Sequence, residues 1–312
     1  MSDTPSHSMI RKTSDLSGDS ASEIAGHQGT ILISGASTGI GWSCAKLLAE
    51  QGFRVLAGYR NETDADRLRA LHPHIVPLSL DVTSDSSIQA AVLQVETLLA
   101  GQGLQGLVNN AGIAVGGPLE FLPITALRQQ LDVNVIGVIA LTQAVIPLLR
   151  QARGRVVNMG SIAGLSALPF VGPYSASKFA LEALTDALRV ELRPWGIQVS
   201  IIEPGVIATP IWEKSMLAAH GLPEAEMPLP STSRLQELYG KVLAILKRET
   251  QNAAHRGIPA ERVAEAVADA LTSKRPRTRY LVGWDARLRV LFNLLPDRVQ
   301  DWVIVKKVGF PG

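Results

Sequence analysis

The chain has 312 residues, 46% of them hydrophobic and 19% charged, which is enough apolar material for one large α/β domain or two small ones. A formal net charge of +2 is too small to argue for a nucleic-acid partner. The single cysteine, Cys44, rules out an internal disulfide and fits a cytoplasmic, reducing setting.

Residues 1–28 are rich in Ser, Asp and Gly and read as a disordered leader without the hydrophobic region of a signal peptide. From Gly29 to Leu281, β-rich runs alternate with helical patterns. The runs are Thr30–Ile33, Arg54–Ala57, Ile75–Leu80, Leu104–Val108, Arg155–Asn158, Gln198–Ile202 and Arg279–Val282. Helical spacing covers Trp42–Gln51, Asp64–Leu71, Ser86–Leu99, Leu131–Leu149, Tyr174–Arg193 and Ala260–Leu271. Several runs are apolar on both faces, as strands covered by helices on each side must be. The alternation predicts a single α/β domain over 29–284, a doubly wound seven-stranded parallel sheet with helices on both faces. The apolar stretch Val133 to Leu149 is interrupted by Asn134, Thr142, Gln143 and Pro147, and reads as a buried or interface helix rather than a membrane span. Residues 208–257 break the rhythm with Pro210, Pro223, Pro228 and Pro230 and helical fragments, and read as a substrate lid.

Residues 285–312 form a basic amphipathic tail. From Lys274 onward nine basic residues face only Asp285, Asp297 and Asp301, while Leu288, Leu291, Phe292, Leu295, Val299, Trp302 and Val303 recur at near-helical spacing. The tail is expected to pack on the domain or a partner subunit; a basic amphipathic surface that touches a membrane peripherally or shapes the substrate entrance is the sharper alternative.

The first strand runs into Ser34-Gly35-Ala36-Ser37-Thr38-Gly39-Ile40-Gly41 and then a helix. A strand, a glycine-rich turn and a helix start make a preformed anion site, with unpaired amides and the positive end of the helix dipole facing a diphosphate. Gly35 permits the turn, Gly39 lets backbone approach phosphate, and Gly41 lets helix pack on strand. No Lys-Ser/Thr pair follows the last glycine, so this is not a P-loop. The second strand leads to Arg60, where a dinucleotide-binding sheet meets the adenosine ribose. With no acid at that position, the guanidinium favours a 2′-phosphate, hence NADP over NAD, although Glu62 and Asp64 lie nearby.

Tyr174 and Lys178 are four apart at the start of a helical pattern and share one face. A free phenol titrates near 10 or so, and a neighbouring ammonium favours the phenolate, so the pair can exchange a proton nearer neutral pH. Ser161, which follows a predicted strand, could hydrogen-bond a reacting oxygen. Leu168, Phe170, Val171 and Trp212 would give an apolar substrate wall, or simply pack the lid.

With these motifs in order, SGASTGIG at 34–41, DV at 81–82, NNAG at 109–112, Asn134, Ser161, YSASK at 174–178 and PGVIATP at 204–210, the chain resembles the short-chain dehydrogenase/reductase family in its single-domain branch. The likeness spans about Gly29 to Val282. It implies a Rossmann-type fold and an NAD(P)-dependent oxidoreductase interconverting an alcohol and a ketone or aldehyde. By that resemblance Tyr174 is general acid or base, Lys178 binds the nicotinamide ribose, Ser161 polarises the substrate oxygen, and Asn134 holds a water. Asp81 and Val82 flank the adenine. Asn110, Ala111 and Gly112 line the cofactor cleft, as do Pro204 and Gly205, and Ile207 and Thr209 fix the carboxamide. No metal is implied. The segment GRVVNMGSIAG is similar to the branch acting on retinol, hydroxysteroids and 3-hydroxybutyrate, and suggests an apolar substrate. The resemblance also suggests a homodimer or homotetramer built on the helices at 131–149 and 174–193. A catalytically silent dinucleotide-binding protein of the same fold is the alternative; its mark would be loss of the tyrosine or lysine, and both are present.

Overall fold

The computed structural model describes residues 28–208 and 232–308. The expected leader at 1–28, apart from Gln28, lies outside these residues, as do Thr209, Trp212 and most of the proline-rich part of the expected lid.

Seven strands form one parallel sheet: β1 (Thr30–Ile33), β2 (Arg54–Tyr59), β3 (Ile75–Ser79), β4 (Gly106–Asn109), β5 (Arg155–Met159), β6 (Gln198–Pro204) and β7 (Arg279–Val282), in the order β3-β2-β1-β4-β5-β6-β7. Each run read from the sequence is present. β2 continues to Tyr59 because Gly58 and Tyr59 still pair with Leu78 and Ser79 of β3. β4 starts at Gly106, in register with Arg155, later than its apolar beginning at Leu104 suggests.

The sheet is buried on both faces because its side chains alternate. Ile31 and Ile33 point into one apolar layer with Val55, Ala57, Val108 and Val157; Leu32 points into the other with Leu56, Leu107, Val156 and Val199. The first layer is closed by α1 (Gly39–Glu50), through Cys44 and Leu48, and by α8 (Ala260–Thr272), through Val263 and Val267. The second is closed by α3 (Asp85–Leu99), through Ile88 and Val95, and by α5 (Gly137–Ala152), through Leu141, Val145 and Leu149. Helix α2 (Glu62–Leu71) lies between β2 and β3, and α6 (Gly172–Glu191) between β5 and β6.

The helix expected from Leu131 starts earlier. It is a continuous helical run, Ile124–Ala152, made of α4 (Ile124–Leu131), a π-helical turn at Asp132–Ile136 and α5. It is long and apolar enough to cross a membrane, but half of its most apolar window is buried against the rest of the chain. Helix α7 (Thr232–Arg256) occupies the later part of the lid segment. The tail forms α9 (Trp284–Phe292) and α10 (Asp297–Val308), separated at Pro296.

From β1 the chain builds outward through β2 and β3, then returns to place β4 on the other side of β1. The carboxyl ends of β1 and β4 therefore open a crevice, the place where such sheets take their ligands.

Candidate active site

A cleft of about 410 Å³ lies over this strand end. Gly35, Ser37, Thr38, Gly39 and Ile40 line it from the glycine-rich turn; Arg60, Asp81 and Val82 from the ends of β2 and β3. Asn110, Ala111 and Gly112 come from the end of β4, Ser161 from that of β5, Tyr174 and Lys178 from α6, and Pro204, Gly205 and Ile207 from the end of β6. Of the residues named from sequence, Gly41 and Asn134 stand behind this wall, and Thr209 is outside the described residues.

Thr38, the residue before α1, makes no side-chain capping bond, and the first turn of α1 carries no acid. Its amides and positive dipole end are thus open to an anion in the cleft. Gly35 has φ +62°, and a Cβ there would sit 2.8 Å from Ala111 Cα. Gly41 departs from its expected role: a Cβ at this position would collide with the Gly35 carbonyl and the Asn110 amide, so the close approach is between helix and loop, not helix and strand. The loop is held by Ser34 and Asn110. The Ser34 hydroxyl accepts hydrogen bonds from the Asn110 and Ala111 amides, both at 3.0 Å, and the Asn110 side chain donates to the Ser34 and Gly35 carbonyls at 3.1 and 2.8 Å. Asn110 lines the cleft while its amide group braces the turn.

At the ribose end, Arg60 is exposed. Of the two nearby acids, Glu62 is turned to the Tyr59 hydroxyl at 3.1 Å, and Asp64 is paired with Arg67 at 3.2 Å. Asp81 is a turn residue as well as a cleft residue: its carboxylate accepts from the Thr83 amide at 2.9 Å and hydroxyl at 2.7 Å. Burial works against that charge, yet the two bonds and the charge of Arg60 hold Asp81 below the ordinary carboxylate range.

At the far end, Ser161 caps a short 3₁₀ turn, accepting from Ala163 N at 3.1 Å, and hydrogen-bonds the Tyr174 phenol. The Lys178 ammonium is 5.6 Å from the centre of the Tyr174 ring and donates to the Met159 carbonyl at 2.7 Å. Pair and serine therefore share one site, but the expected depression of the phenol is not what the protein alone produces. Burial pushes Tyr174 up, with the Ser161 bond acting in the opposite direction. Lys178 is itself 5% exposed, and burial brings its ammonium down to about 8, opposed by the charge of Glu182.

Asn134 lies in the π-helical turn. Its amide donates to the Ile113 carbonyl at 2.9 Å and the Ser177 hydroxyl at 3.1 Å, and its oxygen accepts from Ile113 N at 2.9 Å. Gln130, one turn earlier and fully buried, accepts from Val115 N at 2.6 Å and donates to the Ile113 carbonyl at 2.9 Å. Together they hang the loop after β4 on the helix. Sequence reasoning missed Gln130; in the run Arg128-Gln129-Gln130 nothing local distinguishes it from its exposed neighbour Gln129. It also missed a buried ladder in which Asn109 donates to Thr142 at 2.9 Å and to Asn158 at 2.8 Å, while Asn158 donates to Thr185 at 2.8 Å.

The expected apolar wall is only partly realised. Phe170 turns to α7, its ring edge-on to Tyr239 at 5.9 Å, and Phe121 meets the same ring at 5.8 Å. Neither Phe170, Leu168 nor Val171 lines the cleft; Ile113, Ala114, Val115 and Val133 do. The packing alternative therefore holds for Phe170.

The short-chain dehydrogenase family model matches residues 29–219. The chain belongs to the short-chain dehydrogenase family. Members similar to it include an NADPH-dependent 3-dehydrocapnine reductase from Ornithobacterium rhinotracheale, 36% identical over 88% of this chain and 95% of that protein. Mouse (Mus musculus) retinol dehydrogenase 16 is 38% identical over 87% of this chain and 86% of its own length. Among solved short-chain dehydrogenase structures, one from Burkholderia phymatum in complex with NAD superposes with a TM-score of 0.73 at 25% identity, covering 88% of this chain and 95% of that one.

Proposed function

We propose that the protein is an NAD(P)-dependent oxidoreductase that interconverts an alcohol and the corresponding ketone or aldehyde, with Tyr174 as the proton-transferring group. The observation that carries this reading is the convergence of Ser161, Tyr174 and Lys178 at one end of a cleft whose other end is an open helix N-terminus and Arg60.

The residues fit a dinucleotide. Glycines stand where a Cβ would crowd the turn, the first turn of α1 faces the cleft without a capping side chain, and no acid stands at Arg60. The Thr38–Ile40 amides would hold the diphosphate, Asp81 and Val82 would flank the adenine, and Pro204, Gly205 and Ile207 would face the nicotinamide. When bound, the nicotinamide gives or takes the hydride and, oxidised, sets a positive charge beside the phenol. Arg60 favours NADP over NAD, since Glu62 and Asp64 are engaged by Tyr59 and Arg67; the name of the Ornithobacterium reductase points the same way.

In the reducing direction Tyr174 donates its proton to the carbonyl oxygen, and Ser161 donates a hydrogen bond to the same oxygen as charge develops. A phenol raised by burial is well suited to hold that proton until it is needed. In the oxidising direction the Lys178 ammonium stabilises the phenolate. Asn134 keeps the loop after β4 in place and retains one lone pair of its oxygen for a water. Ile113, Ala114, Val115 and Val133 suit an apolar substrate. Exposed Ile136, Phe179 and Val190, on the π-helical turn and α6, support a homodimer or homotetramer built on these helices.

A panel of aliphatic, aromatic, steroid and retinoid carbonyls, followed by the absorbance of NADPH and NADH in parallel, identifies the substrate class. On the best substrate, Tyr174→Phe lowers turnover by about 10²- to 10⁴-fold with cofactor affinity nearly intact. Near-normal turnover would remove Tyr174 from the chemistry.

A further inference from the structure

Glu182 follows Lys178 by four residues on α6, one turn along the same face. Glu203 is the residue of β6 before Pro204 and Gly205, which line the cleft. Both are nearly excluded from solvent, at 7% and 0% exposure. Three carboxylates gather around one guanidinium of β7. Arg279 Nη2 bonds Glu182 Oε2 at 3.0 Å and Asp186 Oδ2 at 2.9 Å, while its Nε stands 3.3 Å from Glu203 Oε1, off the direction of a hydrogen bond. Arg189 binds the outer oxygen of Asp186 at 3.0 Å. Lys178, Glu182, Asp186 and Arg189 from α6, Glu203 from β6 and Arg279 from β7 are the charged groups of this cluster.

The interior pair is short of donors. Glu182 Oε1 and both Glu203 oxygens are buried with no donor among the described residues, and the two carboxyl groups lie within hydrogen-bond reach of each other. A carboxylate only accepts, so a bond between two carboxyl groups requires a proton on one of them. Arg279 bonds Glu182 directly and meets Glu203 only off-axis, which assigns the charge to Glu182 and the proton to Glu203.

We propose that Glu203 is a protonated donor to the Glu182 carboxylate, and that the negative charge so fixed one helical turn from Lys178 keeps that lysine an ammonium inside the protein. Glu182 and Glu203 are thus positioning residues for the proton-transfer site. The inference rests on the role given to Lys178 under the proposed function. The titration directions agree with the geometry: burial first, then the neighbouring Glu182 charge, raises Glu203 to about 7, and the charge of Glu182 opposes the burial that lowers Lys178.

The test reads Lys178 directly in the full, cofactor-free chain. With ¹³Cε-labelled lysine, the Lys178 resonance is assigned by its loss in Lys178→Met and titrated in the wild type, Glu182→Gln and Glu203→Gln. Glu182→Gln makes Lys178 about tenfold more acidic. Glu203→Gln supplies a permanent donor, keeps the Glu182 charge, and leaves Lys178 within about twofold of wild type. A merely structural pair would move Lys178 equally in both variants or in neither, and either result overturns the proposal. Should Glu182→Gln fail to fold, ¹³Cδ-glutamate in the wild type decides. A Glu203 signal, identified by its loss in Glu203→Gln, that titrates in the ordinary carboxylate range overturns the proposal; one that titrates well above it supports it. Lys178→Met with full turnover would sink the functional reading instead, whatever the titrations show.

Discussion

Replacing Lys178 with methionine separates what this residue does for the fold from what it does for the reaction. Burial takes the ammonium from 10.5 to about 8, which corresponds to about 3 kcal/mol by which the charged form is disfavoured inside. Against this stands the 2.7 Å bond to the Met159 carbonyl, a charge-assisted bond of about 1.5–3 kcal/mol. Methionine matches the aliphatic stem and needs no partner. The two terms nearly offset, so Lys178→Met leaves stability at pH 7 unchanged or raises it by up to ~1.5 kcal/mol. Turnover nevertheless falls by at least about a hundredfold, because the phenolate loses its nearby cation. Urea unfolding of the cofactor-free protein, analysed at constant m, gives the first quantity; NAD(P)H absorbance gives the second. A loss of more than ~2 kcal/mol would show that the ammonium is a structural anchor, and the balance drawn here would be wrong.

Two other outcomes are expected. Arg60→Asp shifts the preference for NADP over NAD by at least about tenfold toward NAD, measured as the ratio of kcat/KM values; an unchanged ratio removes Arg60 from cofactor choice. The pH dependence of stability follows from Glu203, whose folded value is raised from 4.5 to about 7. A carboxyl that binds its proton more tightly when folded contributes stability that is fully present below the unfolded value and lost as pH rises through the folded one. The cofactor-free protein should therefore lose on the order of 1–3 kcal/mol between about pH 5 and 8, and Glu203→Gln should flatten that slope. Stability that is constant or rising over this interval contradicts the assignment.

The sheet was readable from sequence because a strand covered on both faces must be apolar at successive positions. Ile31–Ile33 and Val55–Ala57 carry that signal without help from distant residues. Tyr174 and Lys178 were readable for a similar reason, since helical spacing alone sets i and i+4 on one face. What escaped depends on pairings far apart in the chain. Glu182 and Arg279 are 97 residues apart, and nothing local distinguishes Glu182 from a solvated helix acid. Asn109 and Asn158 read as strand-end residues until strand register sets them opposite each other. The π-helical turn at Asp132–Ile136 left no mark either, because an inserted backbone residue leaves composition unchanged. The acidity of Tyr174 was misjudged by weighing the cation and not the burial, which the sequence does not give.

The Asp285 carboxylate, at the start of α9, accepts from the amide of Val206, in the loop that carries Gly205 and Ile207 along the cleft. A few residues on, the Asn293 side chain donates to the Leu165 carbonyl at 2.6 Å, between Ser161 and Tyr174. Protein engineers who trim this chain after its last strand, or graft another carboxyl-terminal extension at that point, would cut two tethers to the reaction centre. A boundary placed beyond Asn293 leaves both intact and frees only the remainder for redesign.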